Sequence, residues 1–140
     1  MSYTIHDLYI GQTACHSKTI TETDVYLFAG ITGDFNPAHV DAEYAKSTVF
    51  QERIAHGMLS ASLISTVFGT ALPGKGTIYL RQSLRFTAPV HLGDTITATV
   101  EIIELNAERN RAIFRTWCTN QNGQIVLDGE ATVLPPADKK

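Results

Sequence analysis

The spacing of apolar positions changes period near Pro73. Before that point helical spacing dominates; after it, apolar and polar residues alternate as in strands. TACHSKTI, residues 13–20, reads as a first strand. TETD then forms a capping box, with Thr21 as N-cap and Asp24 three residues on. The helix it opens is expected to run to about Ile31, with Val25, Phe28 and Ala29 on the apolar stripe. Gly30 and Gly33 loosen the backbone and release the chain into a loop. A short helix is predicted from Ala42 to about Lys46, capped by Asp41.

The segment IAHGMLSASLISTVFGTAL, residues 54–72, contains no Asp, Glu, Lys or Arg. Its 19 residues match the length of a membrane span, but His56, three serines, two threonines and two glycines make it a poor lipid-facing helix. An uncharged helix without a polar face is expected to be buried on all sides. Its Ser, Ala and Gly positions let a neighbouring surface approach closely.

Four strand segments follow: 77–90, 94–105, 111–120 and 124–134. Their connections, HLG, NAERN and QNG, are short enough for antiparallel neighbours, and Asn-Gly is a strong hairpin signal. Leu80, Gln82, Leu84 and Phe86 alternate with Arg81, Ser83 and Arg85. A one-faced antiparallel sheet needs a cover, and the uncharged helix supplies it. The expected fold class is α+β: one domain, residues 1–140, with an antiparallel sheet wrapped around one long central helix. A homodimer pairing sheet edges would cover what the helix leaves open.

Composition narrows the function classes. Of 140 residues, 44% are hydrophobic and 18% charged, which fits a globular domain. Eleven Lys and Arg against fourteen Asp and Glu give a net charge of −3, with no basic run to attract nucleic acid. Lys139 and Lys140 read as a solvated tail. Cys15 and Cys118 fit no metal spacing and no secretory context, so no disulfide is expected; the polar make-up of residues 54–72 leaves no membrane partner expected either. No signal segment is evident at the N-terminus, and the expected location is cytoplasmic.

Chemistry concentrates in GDFNPAHVD, residues 33–41. Asp34 and His39 would not share a face of a regular helix. In a bent loop they can converge. Pro37 fixes its own φ, and Asn36 before it is pushed toward an extended conformation. Five extended residues would span about 17 Å, so the loop must turn for the two to meet. A carboxylate and an imidazole facing one water make a general acid–base pair, suited to adding water across a double bond or removing it. The same residues also suit a plain surface turn. Gly57 lies in the first turn of the uncharged helix, where backbone N–H groups lack partners and a missing Cβ admits a ligand. Such a terminus can polarise a carbonyl oxygen. Close packing against the sheet would equally require a glycine there.

The stretch AGITGDFNPAHVDAEYAKSTVFQERIAHGMLSASLIS resembles the hydratase signature of the MaoC-like, (R)-specific enoyl-CoA hydratases. The matching pattern is Asp34-x-Asn36-Pro37-x-His39, then His56-Gly57-Met58 at the head of the central helix. LPGKGTIYLRQSLRFTAPVHLGDTITATVEI resembles the same family's sheet region, so the likeness covers nearly the whole chain. The resemblance implies a hot-dog fold, a homodimer with active sites near the subunit interface, and reversible syn hydration of trans-2-enoyl-CoA to (R)-3-hydroxyacyl-CoA. It implies that Asp34 and His39 form the catalytic pair and that Gly57 N–H binds the thioester carbonyl. It further implies that Ser65 supports the carboxylate and that Asn36 shapes the loop. An acyl-CoA thioester is the expected substrate, with no cofactor and no metal.

Other residues receive plainer readings. His56 caps or packs at the helix start. Asp34, His39, His56 and Asp41 fit no zinc or calcium spacing. Lys75, Arg81 and Arg85 are expected on a solvated face rather than at CoA phosphates. Ser60 and Ser62 are packing residues, and Trp117 and Cys118 belong to the sheet. Three functions compete with hydration of a CoA thioester. They are dehydration of (R)-3-hydroxyacyl groups on acyl carrier protein, thioester hydrolysis, and non-catalytic binding of acyl-CoA.

Overall fold

The computed structural model describes residues 2–137; the Lys139–Lys140 pair lies outside them. A 3-10 turn at Ile5–Asp7 precedes β1 (Thr13–Thr19), α1 (Glu22–Thr32), α2 (Pro37–Val40), α3 (Ala42–Lys46) and α4 (Gly57–Thr70). The rest is strand: β2 (Ile78–Gln82), β3 (Arg85–Phe86), β4 (Thr95–Asn106), β5 (Arg111–Thr119) and β6 (Ile125–Leu134). All pairings are antiparallel, in the order β1-β4-β5-β6-β2, with β3 also on β6. Helix α4 packs across β1, β4 and β5. One long helix in a curled antiparallel sheet is the hot-dog arrangement.

Strand alternation builds the core. Along β4, Ile96, Ala98, Val100 and Ile102 point inward and are buried, while Thr95, Thr97 and Thr99 point out. From α4, Ile64, Val67 and Phe68 meet that face, and Phe68 packs edge-on against Phe114 of β5 at 4.9 Å. Each fully buried aliphatic side chain of this kind contributes roughly 1.5–3 kcal/mol. The Thr21 capping box forms as expected, with Asp24 N–H donating to Thr21 Oγ1 at 3.1 Å and Thr21 N–H to Asp24 Oδ2 at 2.9 Å. Gly33 closes α1 at φ 81°, a left-handed conformation that glycine adopts without a Cβ penalty. Gly30 stays helical rather than loosening the chain.

Four expectations need correction. Residues 54–56 are not the first turn of α4: Ile54 bridges His91 and Ala55 N–H donates to Val90 O at 2.7 Å, holding them extended. Residues 77–90 are not one strand. The chain breaks between β2 and β3, where Ser83 O crosses β6 so closely that a Cβ on Gly129 would lie 1.8 Å from it. The loop after Asp34 contains a helical turn, α2, because Pro37 at its first position is pre-set for a helix. Finally, α4 is buried on one face only. Met58, Ser62, Ser65 and Gly69 form an exposed stripe along it. Beside them, Ile78 and Leu80 of edge strand β2 are also exposed. The sheet of one chain covers one side of the helix and no more.

Candidate active site

The short turn α2 is anchored at both ends by local chemistry. Asn36 Oδ1 accepts from Ala38 N–H at 3.1 Å, and His39 N–H donates to Asn36 O at 2.9 Å. Asn36 N–H donates to Asp34 Oδ1 at 3.1 Å, which folds the carboxylate back over the turn. Asn36 is thus the N-cap of α2.

The same turn is tied to the strand-like segment ahead of α4. Ile54 N–H donates to Ala38 O at 3.2 Å, and the His39 ring answers with Nδ1 2.7 Å from Ile54 O. A carbonyl only accepts, so Nδ1 carries the proton. His39 Nε2 is then left with its lone pair, as a base requires. Arg53 extends the tie to α1 through Glu22 Oε1 at 3.0 Å and the Tyr26 hydroxyl at 3.0 Å. Its hydrogen bond holds the Glu22 carboxyl below the usual carboxylate range.

These ties put the turn and the helix head on one cleft. It has a volume of about 490 Å³, and its walls include His39, Ile54, Gly57, Met58 and Phe86. Asp34, His39 and His56 each place a ligand-type atom within 4.8 Å of the others. His39 is 8% and His56 3% exposed, whereas Asp34 is open to solvent. The two imidazoles stack with centroids 3.9 Å apart and planes 29° from parallel. Stacked rings direct their in-plane lone pairs along separate, nearly parallel planes, which disfavours one metal ion shared between them.

Gly57 is the first residue of α4, and the N-cap His56 makes no side-chain capping bond to the first turn. A Ser, Asp or Asn in that place would fill those N–H groups itself. Gly57 is exposed, but the direction a side chain would take is blocked: a Cβ would sit 2.6 Å from Phe86 Cε1 and 2.8 Å from Cδ1. Both readings of this glycine thus have a physical basis. Ser65 is not brought to the cleft. It lies eight residues beyond Gly57, about 12 Å along the helix axis. There it lines a neighbouring groove of about 320 Å³ with Met58, Ser62, Tyr79 and Leu80.

The sequence pattern shows Phe86 only as one position of an alternating strand, not as a wall of the cleft. Nor does it show the His39–His56 stack. The nearness of His56 to Gly57 was the one available signal for the stack.

The MaoC-like domain family matches residues 9–121. The chain belongs to this family. An (R)-specific enoyl-CoA hydratase of Rhodospirillum rubrum is 57% identical over 131 residues, covering 94% of this chain and 90% of the relative. The solved, unliganded R-hydratase of Pseudomonas aeruginosa superposes with a TM-score of 0.91 at 49% identity, covering 96% of this chain and 86% of that one. A mitochondrial 3-hydroxyacyl-[acyl-carrier-protein] dehydratase of Solanum lycopersicum is 37% identical, covering 93% of this chain and 79% of the relative. A TM-score of 0.91 over 96% of the chain shows that this hot-dog domain and that hydratase share one fold.

Proposed function

We propose that this MaoC-like protein is an (R)-specific enoyl-CoA hydratase, a hydro-lyase that reversibly adds water to trans-2-enoyl-CoA to give (R)-3-hydroxyacyl-CoA. The observation that carries the proposal is the single cleft flanked by His39 and Gly57, with Asp34 set against His39. The relatives in which hydration of CoA thioesters is named are also nearer in sequence than the carrier-protein dehydratase.

The mechanism follows from the groups present. The thioester carbonyl accepts a hydrogen bond from Gly57 N–H at the uncapped head of α4, where the helix dipole favours negative charge. That draws electron density from C3. Asp34 and the unprotonated Nε2 of His39 hold one water over C3. Asp34 takes its proton as the oxygen attacks, and enolate charge develops on the thioester oxygen. His39 orients the water through Nε2, and the proton taken up by Asp34 passes to C2, so that one water is added and both groups return to their starting state. Acid–base groups and oxyanion donor on one side of the substrate support syn addition. The acid–base contribution is about 10²–10⁴ in rate and that of the donor about 10²–10³.

A homodimer belongs to the same proposal. Met58, Ile78 and Leu80 are 56%, 55% and 47% exposed, and with the Ser62–Ser65 stripe they form a continuous face beside edge strand β2. A second copy on this face would cover both the open side of α4 and the unpaired sheet edge. Ser65, which supports no group of the cleft within one chain, lies on that face. A cytoplasmic location is also part of this reading. Both cysteines are free thiols, and no helix among the described residues is long and apolar enough to cross a membrane.

Crotonyl-CoA tests the assignment. Loss of the enoyl-thioester absorbance, with formation of the (R) product, is expected. Binding without turnover would point to a non-catalytic module. Turnover of carrier-protein thioesters alone would point to the dehydratase.

A further inference from the structure

We infer that His56 is a positioning residue that sets both acid–base groups at once: it fixes the main chain at Asp34 by a hydrogen bond and fixes the ring of His39 by stacking. The inference rests on the hydratase reading above.

The features of His56 are poorly explained by helix stability. It is the N-cap of α4 yet makes no capping bond. Its Nδ1 is buried without a hydrogen-bond partner, an arrangement that costs stability. Its Nε2 lies 2.9 Å from the main-chain O of Asp34, so that nitrogen carries the proton and donates. His39 stacks on it at 3.9 Å, and the ring of Phe28 of α1 packs tilted by 56° with its centroid 4.9 Å away. The ring is held by these contacts, and what it touches is the backbone of one acid–base group and the side chain of the other.

The two constraints on His39 are complementary. The bond from Nδ1–H to Ile54 O fixes the ring within its own plane. The His56 stack limits tilting out of that plane. Together they fix the direction of Nε2 on a residue that lines the cleft. On the other side, Asp34 is held through its carbonyl by His56 and through its Oδ1 by Asn36 N–H. Supporting bonds of this kind typically tune the reacting groups without touching substrate.

Two substitutions separate positioning from packing. His56→Phe keeps a ring between Phe28 and His39 but removes the donor to Asp34 O. His56→Gln keeps an amide N–H at the reach of Nε2. With crotonyl-CoA, His56→Phe is expected to lower kcat on the order of 10- to 100-fold, with KM little changed. His56→Gln keeps the donor to Asp34 O but loses the stack on His39, so it is expected to recover only part of that loss, and both are expected to melt near the wild type. Wild-type kcat in His56→Phe would overturn the inference. So would equal losses in both variants that track a fall in Tm. The imidazole ¹⁵N spectrum gives a second reading independent of turnover. His39 should be protonated on Nδ1 in the wild type and in His56→Phe, which keeps the stacked ring, and show a mixture of tautomers or orientations in His56→Gln, which lacks it. An unchanged His39 signal in His56→Gln would overturn the inference. A wild type that fails to hydrate crotonyl-CoA would defeat the hydratase reading instead, and the ¹⁵N comparison would still decide the role of His56.

Discussion

Gly57→Ala separates the two reasons a glycine can stand at the head of α4. The added Cβ would meet Phe86 at 2.6 and 2.8 Å, against about 3.5–4.0 Å for an ordinary carbon contact. The ring must therefore retreat by about 1 Å. It can: Phe86 is 52% exposed and sits on a two-residue strand. Overpacking a confined core costs about 1–3 kcal/mol, so a half-exposed ring places this change at or below the low end. Alanine also gains up to about 1 kcal/mol over glycine in helix propensity. The net effect on stability should be about 1 kcal/mol or less, a Tm shift of about 4 °C or less. Activity should respond differently. The methyl group and the displaced Phe86 ring would crowd a thioester oxygen approaching the Gly57 N–H, and loss of one such donor costs about 10²–10³ in kcat. The assay is kcat and KM with crotonyl-CoA for Gly57→Ala, Phe86→Ala and the double variant, with Tm alongside. If the glycine serves ligand approach, removing the Phe86 ring relieves the contact without restoring kcat. Restoration of kcat in the double variant would refute that reasoning and assign Gly57 to packing alone.

Asp34→Asn and His39→Gln should each lower kcat by about 10²–10⁴ while leaving the circular dichroism and oligomeric state unchanged; near wild-type rates in both would reject the acid–base pair. In the native protein, Cys15 should react with a thiol reagent and Cys118 should not, since the first is exposed and the second buried; two fast-reacting thiols would contradict the packing of α4 on β5. Burial pushes the Cys118 thiol up to about 12 from an ordinary value of 9.0 and the Tyr79 phenol up to about 12 from 10.0. Both groups stay neutral in the folded chain and ionise first in the unfolded one. Stability from this source is complete below pH ~9 and is lost as pH rises toward 12, which urea titrations across that window would detect. Met58→Glu combined with Leu80→Glu should convert a dimer to monomers in light scattering, and a dimer that tolerates both charges uses another face.

Much of this was legible because local chemistry set it. The capping box at Thr21 and Asp24, the Asp41 cap of α3 and the alternation along β4 are each fixed by neighbours a few residues away. The misreadings share a different origin. The late start of α4 depends on the bond from Ala55 to Val90, and the break between β2 and β3 on Ser83 crossing Gly129. Both are contacts between segments far apart in sequence, which no local window contains. The half-open helix has a related cause: an uncharged helix signals that it will be covered, not which chain will cover it. At the site, the motif pair brought Asp34, His39 and Gly57 into view, but the stack of His56 on His39 and the approach of Phe86 to Gly57 exist only once the fold is assembled.

The central claim is that one cleft grips a water and a thioester oxygen together. A crystal structure of the Asp34→Asn variant with a bound 2-enoyl-CoA tests it most directly. The account predicts the thioester oxygen within about 3 Å of Gly57 N and a water between residue 34 and His39 Nε2, over C3. A thioester bound away from the head of α4, or a C3 remote from His39, would contradict it.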